Sequence, residues 1–167
     1  MTTVRPATQN DADAIGRIQV ESWRVAYTGL LPAATTAAFD VGARQQLWHE
    51  GLARAPRPGS ATFVGTVDGE AVGFATVGAS QSEDGIGELY AIYVHPSNWG
   101  HGAGRALIEQ SELSLRDSGF PSALLWVLDG NERAERFYRS AGWLRDGEKD
   151  DVFQGADVVE LRYRRQL

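Results

Sequence analysis

Residues 94–110, "VHPSNWGHGAGRALIEQ", set Gly100, Gly102 and Gly104 between an apolar strand-like run and a helix-like run. Glycine lets backbone approach a ligand closely, and a helix N-terminus presents unpaired N–H groups at the positive end of a dipole. Strand, glycine loop and helix together describe a cradle of donors for a phosphate or pyrophosphate. The plainer alternative is a tight turn in which the glycines only permit the bend. Two phosphate motifs fail on spacing. A dinucleotide fingerprint, G-x-G-x-x-G/A, ends on Arg105 when counted from Gly100 and on Leu107 from Gly102. A Walker A loop needs Lys followed by Ser or Thr, and none follows here.

Other residues able to do chemistry are few. Tyr138 shares a helical face with Ala134, Phe137 and Ala141, which by itself reads as a buried core tyrosine with a hydrogen-bonded hydroxyl. Asn131 and Asp129 precede that helix and suit capping. His49, His95 and His101 show no metal-ligand spacing, so no metal is expected. The chain has no cysteine, which excludes disulfides, thiolate metal sites and a thioester relay through the enzyme.

The elements that must position these residues follow from periodicity. "TTVRPAT" reads as a first strand, and Thr8 to Asp11 as a capping box opening a helix. Ile15, Ile18, Ser22, Val25 and Ala26 are placed on its buried face, and Gly29 and Pro32 close it. Residues 33–53 read as a weaker helix anchored by Phe39, Leu47 and Leu52. "ATFVGTVDGEAVGFATVG" is a hairpin turning at Asp68-Gly69. "IGELYAIYV" is a long strand, the glycine segment opens a helix to about Asp117, and "SALLWVL" is a strand buried on both faces. "NERAERFYRSAG" is the last helix, with two strands after it near Trp143–Lys149 and Val158–Tyr163. With 167 residues, no repeat and no long linker, one α/β domain over residues 1–167 is expected.

A net charge of -6 argues against non-specific attraction to nucleic acid or anionic lipid. No run approaches a membrane span and no secretory leader is evident, so a cytoplasmic protein is expected.

Pro96, the loop Gly100-His101-Gly102-Ala103-Gly104 opening a helix, and the later pattern Asn131, Ala134, Phe137, Tyr138, Gly142 and Trp143 resemble the GNAT superfamily of acyl-CoA-dependent N-acetyltransferases. "VRPAT" with the following Asp-Ala and "SWRVAYTGLLP" at 22–32 resemble that family's first strand, first helix and next loop. The resemblance implies a mixed, mostly antiparallel sheet of about seven strands, strands four and five splayed, flanked by about four helices. It implies acetyl-CoA as cosubstrate and an amine as acceptor, with no metal. Ile92, Tyr93 and Val94 would pair with pantetheine as a further strand, an N–H near Val94 would face the thioester carbonyl, and Asn131 would contact the pantetheine arm. Trp99 through Arg105 would form the pyrophosphate loop, with Tyr138 the acid that protonates departing thiolate and Glu88 the base, Asp129 a weaker candidate. Trp23 and Tyr27, with Trp48, would line the acceptor pocket. Members of that family commonly form homodimers.

One position departs from the pattern. The family's loop usually starts with Gln or Arg, and here Trp99 stands there, with Arg105 reading either as a substitute contact to phosphate or as an ordinary surface arginine on the helix. The competing expectation is a catalytically idle acyl-CoA-binding module. The acidic stretches "SEDG" and "DGEKDD" read either as attractors for a cationic amine or as solvated loops.

Overall fold

The computed structural model describes all of residues 1–167. The chain order is β1 (Thr2–Pro6), α1 (Ala12–Tyr27), α2 (Ala33–Ala37), α3 (Val41–Leu52), β2 (Ala61–Val67), β3 (Glu70–Ala79), β4 (Gly87–Val94), α4 (Ala103–Asp117), β5 (Ser122–Leu128), α5 (Glu132–Ser140), β6 (Leu144–Phe153) and β7 (Ala156–Gln166). The strands make one seven-stranded sheet in the order β1-β2-β3-β4-β5-β7-β6. Every pairing is antiparallel except β4 with β5. Helices α4 and α5 cover one face, over a core containing Leu107, Ile108, Leu125, Val127, Tyr138 and Trp143. Helices α1 and α3 cover the other, over Ile15, Ile18, Val64 and Phe74.

Local chemistry explains where the pattern and the structure part. The 33–53 stretch breaks into two helices because Asp40 is extended, at φ -119 and ψ 121, and caps α3 by accepting the Ala43 N–H at 2.6 Å. Five helices result rather than four. Val25 is 53% exposed and Leu47 is 54% exposed, so neither serves as an anchor. Their places are taken by Trp23 and by Trp48, whose ring meets Phe74 at 5.2 Å and whose N–H donates to Gln19 at 2.7 Å. The final strands run longer than periodicity implies. β6 continues through "DGEKDD" because its charges are matched across the pair, Lys149 opposite Glu160 and Asp146 bonded to Arg162 and Arg164.

The first turn is held by one carboxylate. Asp11 accepts from both Arg5 guanidinium nitrogens at 2.7 and 2.8 Å and from the Thr8 N–H at 2.7 Å, joining β1 to the start of α1. Arg5, and then Thr8, hold the Asp11 pKa down to about 2 against the opposing effect of burial. A depressed folded pKa means stability present above about pH 4 and lost as pH falls toward 2, worth about 2 kcal/mol at most because Arg5 is half-exposed. Asp11→Asn is expected to cost about 1–2 kcal/mol in urea unfolding at pH 7. The gap from wild type should close between pH 4 and 2; a gap independent of pH would disprove the account.

Candidate active site

β4 and β5 lie side by side only at Gly87 with Ala123 and Glu88 with Leu124; beyond these two pairs they diverge. A cleft of about 680 Å³ opens in the wedge. β4 is also bulged there, since Thr76 opposes Ala91 and Val77 opposes Leu89, leaving Tyr90 without a partner. The His95 N–H donates to the Val72 carbonyl at 2.8 Å on the β3 side. Alternation along an antiparallel strand therefore turns the backbone groups of Ile92 and Val94 toward the wedge. The Val94 carbonyl is taken by the Trp99 indole N–H at 2.7 Å and the Ser22 hydroxyl at 3.2 Å.

The glycine loop forms one mouth of the cleft, and its glycines answer to different constraints. Gly100 and Gly102 have φ of +80 and +87, a left-handed backbone that other residues adopt only with strain, and a Cβ on either would meet nothing within 4 Å. Gly104 is inside α4, where a Cβ would stand 3.3 Å from the Phe137 ring and 3.7 Å from Val94. The first two shape an open cradle; the third lets α4 lie against α5. Trp99 sits at this mouth with the Arg133 guanidinium 3.7 Å above its ring centre. Arg105 also lines the mouth, but pairs with Glu109 at 2.6 Å and donates to the Ser140 carbonyl at 3.3 Å. Ala103 is buried as the first residue of α4, and the exposed His101 does not line the cleft. Asn131 lines the cleft and caps α5 by accepting the Ala134 N–H at 3.3 Å.

At the opposite end three tyrosines gather. The Tyr27 and Tyr93 hydroxyls are 3.2 Å apart, and the buried Tyr138 lines the same cleft with no hydrogen bond from its hydroxyl to the protein. Burial raises the pKa of all three, for Tyr27 and Tyr138 well above the ordinary phenol value. Glu88 is buried in the cleft wall and accepts the Gln81 N–H at 3.0 Å. The far wall is formed by Trp126, Lys149, Asp151, Phe153 and Glu160; the sequence pointed only to Lys149 and Asp151, within the acidic stretch "DGEKDD", and missed the other three. The Lys149 ammonium lies 2.6 Å from Asp151, 3.4 Å from Glu160 and 4.4 Å from the Trp126 ring centre. Burial lifts Glu160 above the usual carboxylate range against the pull of Lys149. A signal was present, since residues 149, 151 and 153 alternate onto one face. Trp23 is not on the cleft wall; it is core, with Phe39 and Phe153 rings each at 5.2 Å. Trp48 and Asp129 also stand outside the cleft.

A family model described as the acetyltransferase (GNAT) family matches residues 18–143. The chain belongs to this family. The uncharacterized N-acetyltransferase YuaI of Bacillus subtilis is 34% identical over 164 residues, covering 96% of this chain and 91% of that one. Two solved structures share the GNAT fold. PaiA N-acetyltransferase from Thermoplasma acidophilum, in complex with coenzyme A, has a TM-score of 0.71 at 16% identity, covering 100% of this chain and 99% of that one. YncA from Salmonella typhimurium, with its cofactor acetyl-CoA, has a TM-score of 0.74 at 22% identity, covering 99% and 94%. This GNAT protein is thus an acyl-CoA-dependent N-acetyltransferase built on the splayed sheet described above.

The loop geometry gives a direct test. Gly102→Ala is expected to lose about 1–2 kcal/mol in denaturant unfolding from backbone strain alone, because its Cβ has room. An unchanged midpoint would show that the loop does not need its left-handed residue.

Proposed function

We propose that this chain transfers the acetyl group of acetyl-CoA to a primary amine of a small molecule or peptide by direct attack, with no covalent enzyme intermediate. The observation that carries this reading is the convergence, in one cleft, of the outward backbone edge at Ile92 and Val94 with the unpartnered Tyr138 hydroxyl. An N–H at Val94 suits the oxyanion that forms as the amine attacks the thioester carbonyl. The carbon–nitrogen bond forms, the carbon–sulfur bond breaks, and the thiolate takes a proton from Tyr138. The absence of cysteine fits attack without a thioester relay.

Energetics limit what Tyr138 does. Even an ordinary phenol is a weaker acid than a thiol by about 2 kcal/mol, and burial widens the gap. Transfer is therefore concerted with bond cleavage, and the raised pKa keeps the hydroxyl protonated throughout the neutral range. Glu88, Asp151 and Glu160 line the cleft together with Lys149, a set that suits a cationic amine. Glu88 takes the amine proton, directly or through water. The raised pKa of Glu160 favours a second reading in which Glu160 is that base.

Tyr138→Phe is expected to lower kcat about 10²–10⁴-fold in a thiol-release assay while the acetyl-CoA dissociation constant stays within about threefold. A wild-type chain that binds acetyl-CoA yet turns over no amine would instead make it an idle binding module. Glu88→Gln and Glu160→Gln then separate the two bases. The true base, when removed, takes with it the acidic limb of the kcat/KM pH profile; loss of that limb in neither variant would defeat both assignments.

A further inference from the structure

Two arginines line the glycine-loop mouth, and the structure treats them differently. Arg105 spends its guanidinium on Glu109 at 2.6 Å and on the Ser140 carbonyl at 3.3 Å. Arg133 makes no ion pair and no hydrogen bond, although it has a carboxylate neighbour in Glu132, which pairs with Arg136 instead. Its guanidinium lies 3.7 Å from the Trp99 ring centre. Stacking uses the face of a guanidinium and leaves its in-plane N–H groups free to form a fork, the geometry that matches a phosphate. Trp99 is itself pinned, its N–H held by the Val94 carbonyl at 2.7 Å. The cation is thus held by a ring that is anchored to the cleft floor.

Its position favours an anion as well. Arg133 is the second residue of α5, which spans Glu132–Ser140, and the start of α4 with the open loop at Gly100 and Gly102 borders the same mouth. Two helix N-termini and an unpaired guanidinium therefore share one rim.

We propose that Arg133, stacked on Trp99, is the cationic contact for a phosphate of the acyl-CoA at the cleft mouth, the role that sequence reasoning gave to Arg105. The inference rests on the acyl-CoA reading above. Trp99 is the positioning residue: by holding the side chain in place before the ligand arrives, it removes part of the ordering cost of binding. A tryptophan in the loop then supplies, through its neighbour, the charge that its own side chain lacks.

The test is calorimetric titration of purified wild type, Arg133→Ala, Arg105→Ala, Trp99→Ala and the Trp99→Ala/Arg133→Ala double variant, with acetyl-CoA and with dephospho-CoA. Thermal melts confirm that each variant is folded. Arg133→Ala should weaken acetyl-CoA binding roughly five- to thirtyfold. Arg105→Ala should weaken it by less than about threefold, and Trp99→Ala by an amount that nearly vanishes in the Arg133→Ala background. In turnover, the acetyl-CoA KM of Arg133→Ala should rise with kcat within about twofold of wild type, a split that general loss of structure would not produce. If the Arg133 penalty disappears with dephospho-CoA, the phosphate is the one on the ribose; if it persists, it belongs to the pyrophosphate, and either supports the proposal. A folded Arg133→Ala that binds acetyl-CoA within twofold of wild type overturns it, as does a penalty carried by Arg105→Ala alone. Failure of wild type to bind acetyl-CoA at millimolar concentration is a different result, and it removes the acyl-CoA reading together with this one.

Discussion

The β4–β5 ladder stops after two residue pairs, and the site exists because it stops there. A strand edge inside a protein leaves backbone donors and acceptors that must be satisfied by something other than the next strand. Here the Val94 carbonyl is met by Ser22 from α1 and by Trp99 from the loop, so three separate segments agree on where β4 ends. Strand alternation leaves the N–H groups of Ile92 and Val94 on the same edge facing the cleft. The bulge at Tyr90 falls on the same strand, where a change of twist helps β4 to turn away from β5.

The narrow end of the wedge is braced by charge. Glu83, in the loop between β3 and β4, accepts from Arg162 at 2.8 Å and from Arg164 at 2.8 and 3.0 Å, both on β7. Asp146 on β6 accepts from the same two arginines at 2.7 Å each. These half-exposed pairs are individually worth about 1 kcal/mol or less, but as a network they tie the loop before β4 to the far half of the sheet. They also support the strand character of "DGEKDD", in which Asp146 and Lys149 find charged partners on β7.

Much of the architecture was legible in the residues. The succession of elements along the chain, the hairpin at Asp68-Gly69, the doubly buried β5 and the apolar face of α5 follow from period and turn chemistry that the tertiary fold leaves intact. The mostly antiparallel sheet with strands four and five splayed came instead from the family resemblance. What was not legible depended on partners distant in sequence. Val25 and Leu47 satisfy a helical period, yet neighbouring helices and the sheet choose Trp23 and Trp48. The sequence treats the three loop glycines alike, but Gly100 and Gly102 shape a loop with open space beside it while Gly104 is small for Phe137, thirty-three residues away. The i,i+4 partner of Arg105, Glu109, is readable from spacing; the Trp99 ring under Arg133, thirty-four residues away, is not.

In an ordinary sheet, hydrogen bonds act as a ruler, holding neighbouring strands about 4.8 Å apart whatever their side chains. Past Glu88 and Leu124 that ruler is missing, and the width of the cleft is gauged instead by the bulk of the groups beside it, where Phe137 and Tyr138 of α5 belong to the same packed core as Val94 and Val127. Side-chain volume on one short helix is thereby converted into aperture between two strands. The width of this opening can drift with single substitutions in the core while the strands themselves, and the fold, stay the same.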